Sequence, residues 1–171
     1  MRCIASLFTT AILIVGIVCA GAARPGRAQM TTPVIAVAEI HYVDTSGEVI
    51  DQSADHRRRL REFEAALRSD LAASGKMANA ALDCPPNACS VGDIHDSQLL
   101  AKAEQAGATY LLIGRFHKMS TLVQQAKFDV IDVKARKIVF GRYITFRGDN
   151  DEAWRRAESF LAGQILDRGE W

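Results

Sequence analysis

Thr109-Tyr110-Leu111-Leu112-Ile113-Gly114 carries no charge across six residues, and its reading decides the fold. A short apolar run that ends on Gly114 and starts just after Gly107 reads as a central, buried strand. Immediately upstream, Asp96 to Gln105 reads as a helix, with Leu99, Leu100 and Ala103 apolar and Gly107 past its end. Downstream, Leu122 to Val133 and Lys137 to Arg147 flank the short polar stretch Lys134-Ala135-Arg136 and read as a hairpin. In its second run Ile138, Phe140, Ile144 and Phe146 fall on one face, with Arg142 as the exception.

The pattern extends in both directions. Pro33 to Ile40 reads as a buried strand, and Asp44-Thr45-Ser46-Gly47 after it as a turn. From about Asp55, Leu60, Phe63, Leu67 and Leu71 recur at three- and four-residue steps, which predicts a helix stopped by Gly75. Met77 to Leu82 forms a weaker strand. At the far end, Asp149 and Glu152 have capping-box spacing, and Trp154, Ala157, Leu161 and Ile165 make the apolar face of a last helix. The order β-α-β-α-β-β-β-α gives parallel pairing early and an antiparallel meander late. The expected class is α/β with a mixed sheet in two or three layers.

The amino terminus reads as an export signal. Arg2 is followed by an uncharged stretch from Cys3 to Ala23 with an apolar centre at Ala11–Val18. Gly26-Arg27-Ala28 suits cleavage after Ala28, with Ala20-Gly21-Ala22 as a second choice. The division is then residues 1–28 as signal peptide and 29–171 as a single α/β domain of about 140 residues, enough to bury its own core. An uncleaved anchor is the alternative, since a span needs roughly 17–25 residues. Arg24 and Arg27 oppose it. Val18 before Cys19 opposes lipidation, because a small residue is expected there. Cleavage takes Arg2, Arg24 and Arg27 from the 21 basic residues and none of the 20 acids. The remaining 18 against 20 give a formal net charge of −2, which disfavours nucleic acid as a partner.

Of four cysteines, Cys84 and Cys89 remain after cleavage, around Pro85-Pro86-Asn87-Ala88. An even pair in an oxidising compartment reads as a disulfide worth about 2 kcal/mol, with the prolines and Asn87 favouring the reversal. A metal site using both thiolates and His95 lacks a fourth ligand. His41, His56, His95 and His117 are scattered and read as surface or edge residues. Asp149, Asn150, Asp151 and Glu152 read as helix-start residues rather than a calcium loop. Arg57, Arg58, Arg59 and Arg61 form either a solvated helix face or a contact for an acidic partner or anionic headgroups. Arg155 and Arg156 beside Trp154 read the same way, with Trp154 in the core. There is no nucleophile elbow, phosphate loop or carboxylate pair that stands out, so no enzyme, cofactor or metal is indicated.

Two blocks carry a resemblance. Gly107-Ala108-Thr109-Tyr110-Leu111-Leu112-Ile113-Gly114-Arg115-Phe116-His117-Lys118-Met119-Ser120 resembles the G-A-D-Y-V-L-x-G-x-V-x-K-V-S signature of an uncharacterised bacterial family, the domain of unknown function 2380. Arg147-Gly148-Asp149-Asn150-Asp151-Glu152-Ala153-Trp154-Arg155-Arg156 is similar to its R-G-N-T-D-E-S-W-R-R. Val34 to Thr45 resembles its opening strand and D-T-S-G turn, so the likeness runs over about residues 33–168. Thr109 stands where that family usually has Asp, and Ala135-Arg136-Lys137 replaces a Gly-containing turn. The family brings no established activity. Its strand order is similar to the amino-terminal domain of TolB and to the periplasmic part of curli-secretion lipoproteins. That likeness implies a TolB-like fold and a binding or assembly role in the cell envelope. The expected function is therefore a periplasmic, non-catalytic module. It would bind another envelope protein through an edge strand or the candidate residues Arg57, Arg58, Arg61, Arg155 and Arg156. A small-molecule or cofactor carrier serving a periplasmic enzyme is the alternative. Membrane contact would come only through an uncleaved signal.

Overall fold

A computed structural model describes residues 32–168. The expected signal segment, its cleavage site, Cys19 and the alternative anchor lie outside the described residues. Among those described, no helix is long and apolar enough to cross a membrane. The elements are β1 (Val34–Val37), β2 (His41–Asp44), α1 (Ser53–Ala73), β3 (Ala78–Ala80), α2 (Asp96–Gln105), β4 (Tyr110–Lys118), β5 (Val123–Asp132), β6 (Lys137–Arg147) and α3 (Asp151–Arg168).

All six strands form one mixed sheet in the order β3-β1-β4-β5-β6, with β2 pairing β4 beyond the end of β1. The pairs β1–β3, β1–β4 and β2–β4 are parallel, and β4–β5 and β5–β6 antiparallel. The opening strand expected from Pro33 to Ile40 thus ends at Val37, and a second strand, β2, follows beyond Ile40 along the same neighbour. From Ile35 to His41 is six steps, while their partners Tyr110 and Arg115 are five apart. The extra residue is taken up at Ala38–Ile40, where Glu39 turns out of the ladder to meet Ser90.

Period-two alternation makes the described domain three-layered. Ile35 and Val37 pack with Leu112, Phe116 and Phe128 under α1 and α3, around Phe63, Leu67, Leu71, Trp154, Leu161 and Ile165. Ala36 and Ala38 face the other way and pack with Leu111 and Val133 against Leu99 and Ala103 of α2. Small residues on that face let the short α2 sit close to the sheet. Gly114 is fixed by packing: a Cβ there would lie 2.6 Å from the ring of Phe128, its cross-strand partner.

The hairpin forms as expected, but one face assignment fails. A bulge lets Val130 pair with Phe140 and Ile131 with Ile138, so Val139 is extra. Ile138 is 60% exposed, whereas Phe140 and Ile144 are buried. The β5–β6 turn holds Arg136 at φ +54°, supported by Asp132, whose carboxylate accepts from Ala135 N–H at 2.7 Å. That side chain does the work of a turn glycine. Thr109 fills its departure from the family pattern similarly, its hydroxyl accepting from Val34 N–H at 3.2 Å.

Candidate functional site

Two regions concentrate the side chains able to do more than fill space. The first lies where β2 and β4 end at their carboxyl edges, beside the amino termini of α1 and α3. Alternation from Leu112 through Gly114 and Phe116 carries Lys118 onto the buried face, where it is fully enclosed. Its ammonium bonds Asp149 Oδ2 at 2.6 Å, Gln52 Oε1 at 3.2 Å and the Glu48 carboxylate. Asp44 lies 4.0 Å away.

Asp149 is the hub of this cluster. Its Oδ2 also takes His56 Nε2 at 2.7 Å, and its Oδ1 takes Arg59 Nη1 at 2.9 Å and Trp154 Nε1 at 3.3 Å. Burial alone would raise its pKa, but the bonds from Lys118 and His56 outweigh burial and hold the carboxyl below the usual range. Burial likewise opposes charge on Lys118, and its bonds to Asp149 and Glu48 more than reverse that. Tyr42, His56, Phe116 and Trp154 wall the cluster, with the Phe116 and Trp154 rings stacked at 4.7 Å. Outside it a groove of about 510 Å³ is lined by Tyr42, Asp44, Glu48, Asp51, His56 and Arg57.

Two expectations are corrected here. His56 is not a surface or edge residue but is buried, one turn before Leu60 on the apolar stripe of α1. Asp149 is not the cap of α3; Asn150 is, its side-chain oxygen accepting from Ala153 N–H at 2.9 Å. Asp149 turns inward instead. Asp151 binds Arg58 and Arg59 at 2.8 Å each, and these hold its carboxyl down at about 2. Among the described residues no cluster of three or more potential ligands is arranged to hold a metal ion.

The second region is the outer edge of β6, whose pairing among the described residues is with β5 alone. Gly148 N–H bonds Leu122 O at 2.9 Å, continuing the β5–β6 register. Because an antiparallel ladder alternates, Phe146, Ile144 and Arg142 turn their amides toward β5, and Gly141, Tyr143, Thr145 and Arg147 turn theirs outward. Between this edge and α3 runs a groove of about 560 Å³, lined by Arg142 to Arg147 of β6 and by Ala153, Arg156, Ala157 and Phe160 of α3. The Arg142 guanidinium lies 5.5 Å from the centre of the Phe160 ring.

The candidate arginines are scattered over these surfaces. Arg58 is engaged with Glu62 and Asp151, and Arg155 with Glu152 at 2.6 Å. Arg57 and Arg61 are exposed on α1. Arg156, 3.5 Å from Glu152, is the member that lines the β6 groove. Cys84 and Cys89 are joined as a disulfide with Cα atoms 5.8 Å apart. The Glu39 carboxylate accepts from Asn87 and Cys89 N–H at 2.9 Å each, tying that loop to the sheet. Lys118 and Glu48 escaped the sequence reading, although alternation along β4 points Lys118 inward.

Solved structures agree on the fold. TolB from Acinetobacter baumannii is similar with a TM-score of 0.50 and 16% identity, over 81% of this chain but 28% of its own, so this chain spans little more than a quarter of that protein. The LpoB C-terminal domain from Escherichia coli gives 0.50 and 14%, over 70% of this chain and 84% of its own. Lipoprotein GNA1162 from Neisseria meningitidis gives 0.50 and 14%, over 78% and 96%. No curated protein matches in sequence. The profile of a family described as "Protein of unknown function (DUF2380)" matches residues 33–166, which include Lys118, Asp149, Trp154 and the Asp44 turn. With that match over most of its length, the chain belongs to the family of unknown function DUF2380.

Proposed function

We propose that this protein is an exported, periplasmic, non-catalytic module that binds another envelope protein by accepting a strand at β6. The observation that carries this reading is the outer edge of β6. It is long, pairs on one side only among the described residues, and carries exposed Ile138, Val139 and Tyr143, with exposed Phe160 lining the same groove as Tyr143. Proteins that leave such an edge open ordinarily blunt it or use it, since unpaired amides recruit strands. The apolar residues also favour use over avoidance. The Lys118 cluster supports a structural role, because its charges are met by protein groups at short range. The reading of residues 1–28 as an export signal and the likeness in fold to TolB, LpoB and a lipoprotein support the compartment.

The carrier reading has less behind it. The hollow between α1 and α3, about 260 Å³, is below the roughly 300–1,000 Å³ of small-molecule pockets, and the grooves of about 510 and 560 Å³ reach that size but are more open to solvent than an enclosing pocket. The test is affinity capture from periplasmic extract with the wild-type chain and with Thr145→Pro. Proline there deletes an outward N–H and leaves the β5 ladder intact. A recurrent protein retained by the wild type and lost by the variant is the expected result. Capture indifferent to Thr145→Pro, or a stoichiometric small molecule on an otherwise clean protein, would overturn it.

A further inference from the structure

The groove beside β6 has a chemistry that narrows what can lie in it. Its lining includes three arginines, Arg142, Arg147 and Arg156, and no acidic residue. The chain as a whole is nearly balanced, with 21 basic against 20 acidic residues, so this local excess is not a reflection of overall composition. Arg142 Nε is shielded from solvent and has no hydrogen-bond partner among the described residues. A buried donor in that condition costs free energy unless something satisfies it. Arg142 lines the groove, with the Phe160 ring centre 5.5 Å from its guanidinium.

We propose that the β6–α3 groove receives an extended, acidic segment of a protein partner, added to the sheet as a further strand. The inference rests on the partner-module reading and specifies the partner's chemistry. An added strand bonds the outward amides of Tyr143 and Thr145 and projects alternate side chains to opposite faces. Those on the α3 side fall between Arg142 and Arg156, where Asp or Glu is matched by charge-assisted bonds and an apolar residue by Phe160. Those on the other side meet Tyr143 and the uncovered face of the β5–β6 hairpin.

A second copy of this chain is a poorer occupant. Antiparallel pairing of β6 with itself about Ile144 sets Arg142 opposite Phe146 and Arg147 opposite Gly141, and since residues 141–147 contain no carboxylate, the arginines of the edge gain no acidic partner from a second copy.

The test uses the full exported chain and two synthetic ten-residue peptides, one alternating valine with glutamate and the other valine with lysine. Binding is followed by fluorescence polarisation, and amide exchange is followed at Tyr143 and Thr145. The expected result is at least tenfold tighter binding of the glutamate peptide, weakening as salt rises, with protection of both amides. The exposed pair Arg147→Glu and Arg156→Glu should reverse the preference, with the circular dichroism spectrum unchanged. Equal binding of the two peptides, no binding of the glutamate peptide at millimolar concentration, or indifference to the double reversal would overturn the proposal. Protection of the two amides that rises with protein concentration in the absence of peptide would overturn it in favour of a homodimer. If capture still depends on Thr145 while these peptides are not distinguished, this inference fails and the partner-module reading stands.

Discussion

The two polar regions use the same residue types in opposite ways. Around Lys118, cations and carboxylates from three parts of the chain meet within bonding distance, out of solvent. Along the β6 groove, three arginines line one open channel with no carboxylate among them. A buried charge is tolerable only when its partners are built into the same molecule, because the desolvation cost is otherwise too large. An exposed cation bears little such cost and remains available to another molecule. The contrast separates a lock on the fold from a surface fit for recognition.

The largest effect should come from breaking the lock. Lys118→Met leaves Asp149 and Glu48 facing each other without their ammonium and should lose about 3–5 kcal/mol in denaturant unfolding. Adding Asp149→Asn should restore part of that loss. A change under about 1 kcal/mol would mean that the cluster is wetter than its geometry implies and would undo the comparison.

Glu158 offers an intermediate case, a buried carboxyl in the α1–α3 seam whose Oε1 has no hydrogen-bond partner among the described residues. Burial first, and the Asp70 charge second, push it up from 4.5 to about 7. The folded state therefore holds this proton more tightly than the unfolded chain does. Its contribution is fully present below about pH 4.5, falls as pH rises through 7, and then levels off. Glu158→Gln should be indistinguishable from wild type in relative stability at pH 4 and ahead by up to about 3 kcal/mol at pH 8. A gap that does not widen with pH would show that the carboxyl is solvated in the fold.

The smallest effect should come from the groove. Arg147→Glu and Arg156→Glu, both exposed, should each change stability by no more than about 0.5 kcal/mol. A loss of several times that amount would make these arginines structural and erase the distinction from Lys118.

Legibility in the sequence divided along the same line. Periodicity found α1, α2, the β5–β6 hairpin and the apolar face of α3, because each is a local consequence of one side of an element facing a core. It also placed Trp154 in the core, while the pairing of Cys84 with Cys89 followed from an even pair around a Pro-Pro-Asn reversal. It misplaced Ile138, because a one-residue bulge reverses the side to which later residues point, and bulges leave no periodic trace. It divided Asp149 and Asn150 wrongly, since both are good cap residues and only packing decides which turns inward.

By itself, the sequence determined the mixed sheet, the family and the order of the elements apart from β2, since these rest on residue spacing and on local motifs. The tertiary structure alone decided that Lys118, Asp149, His56 and Glu48 meet, although as many as 101 residues separate them along the chain. It alone decided, too, that Arg142, Arg147 and Arg156 share a groove at an edge left unpaired among the described residues. Charge has no period: whether it ends as a lock or as a surface depends on what the fold brings beside it.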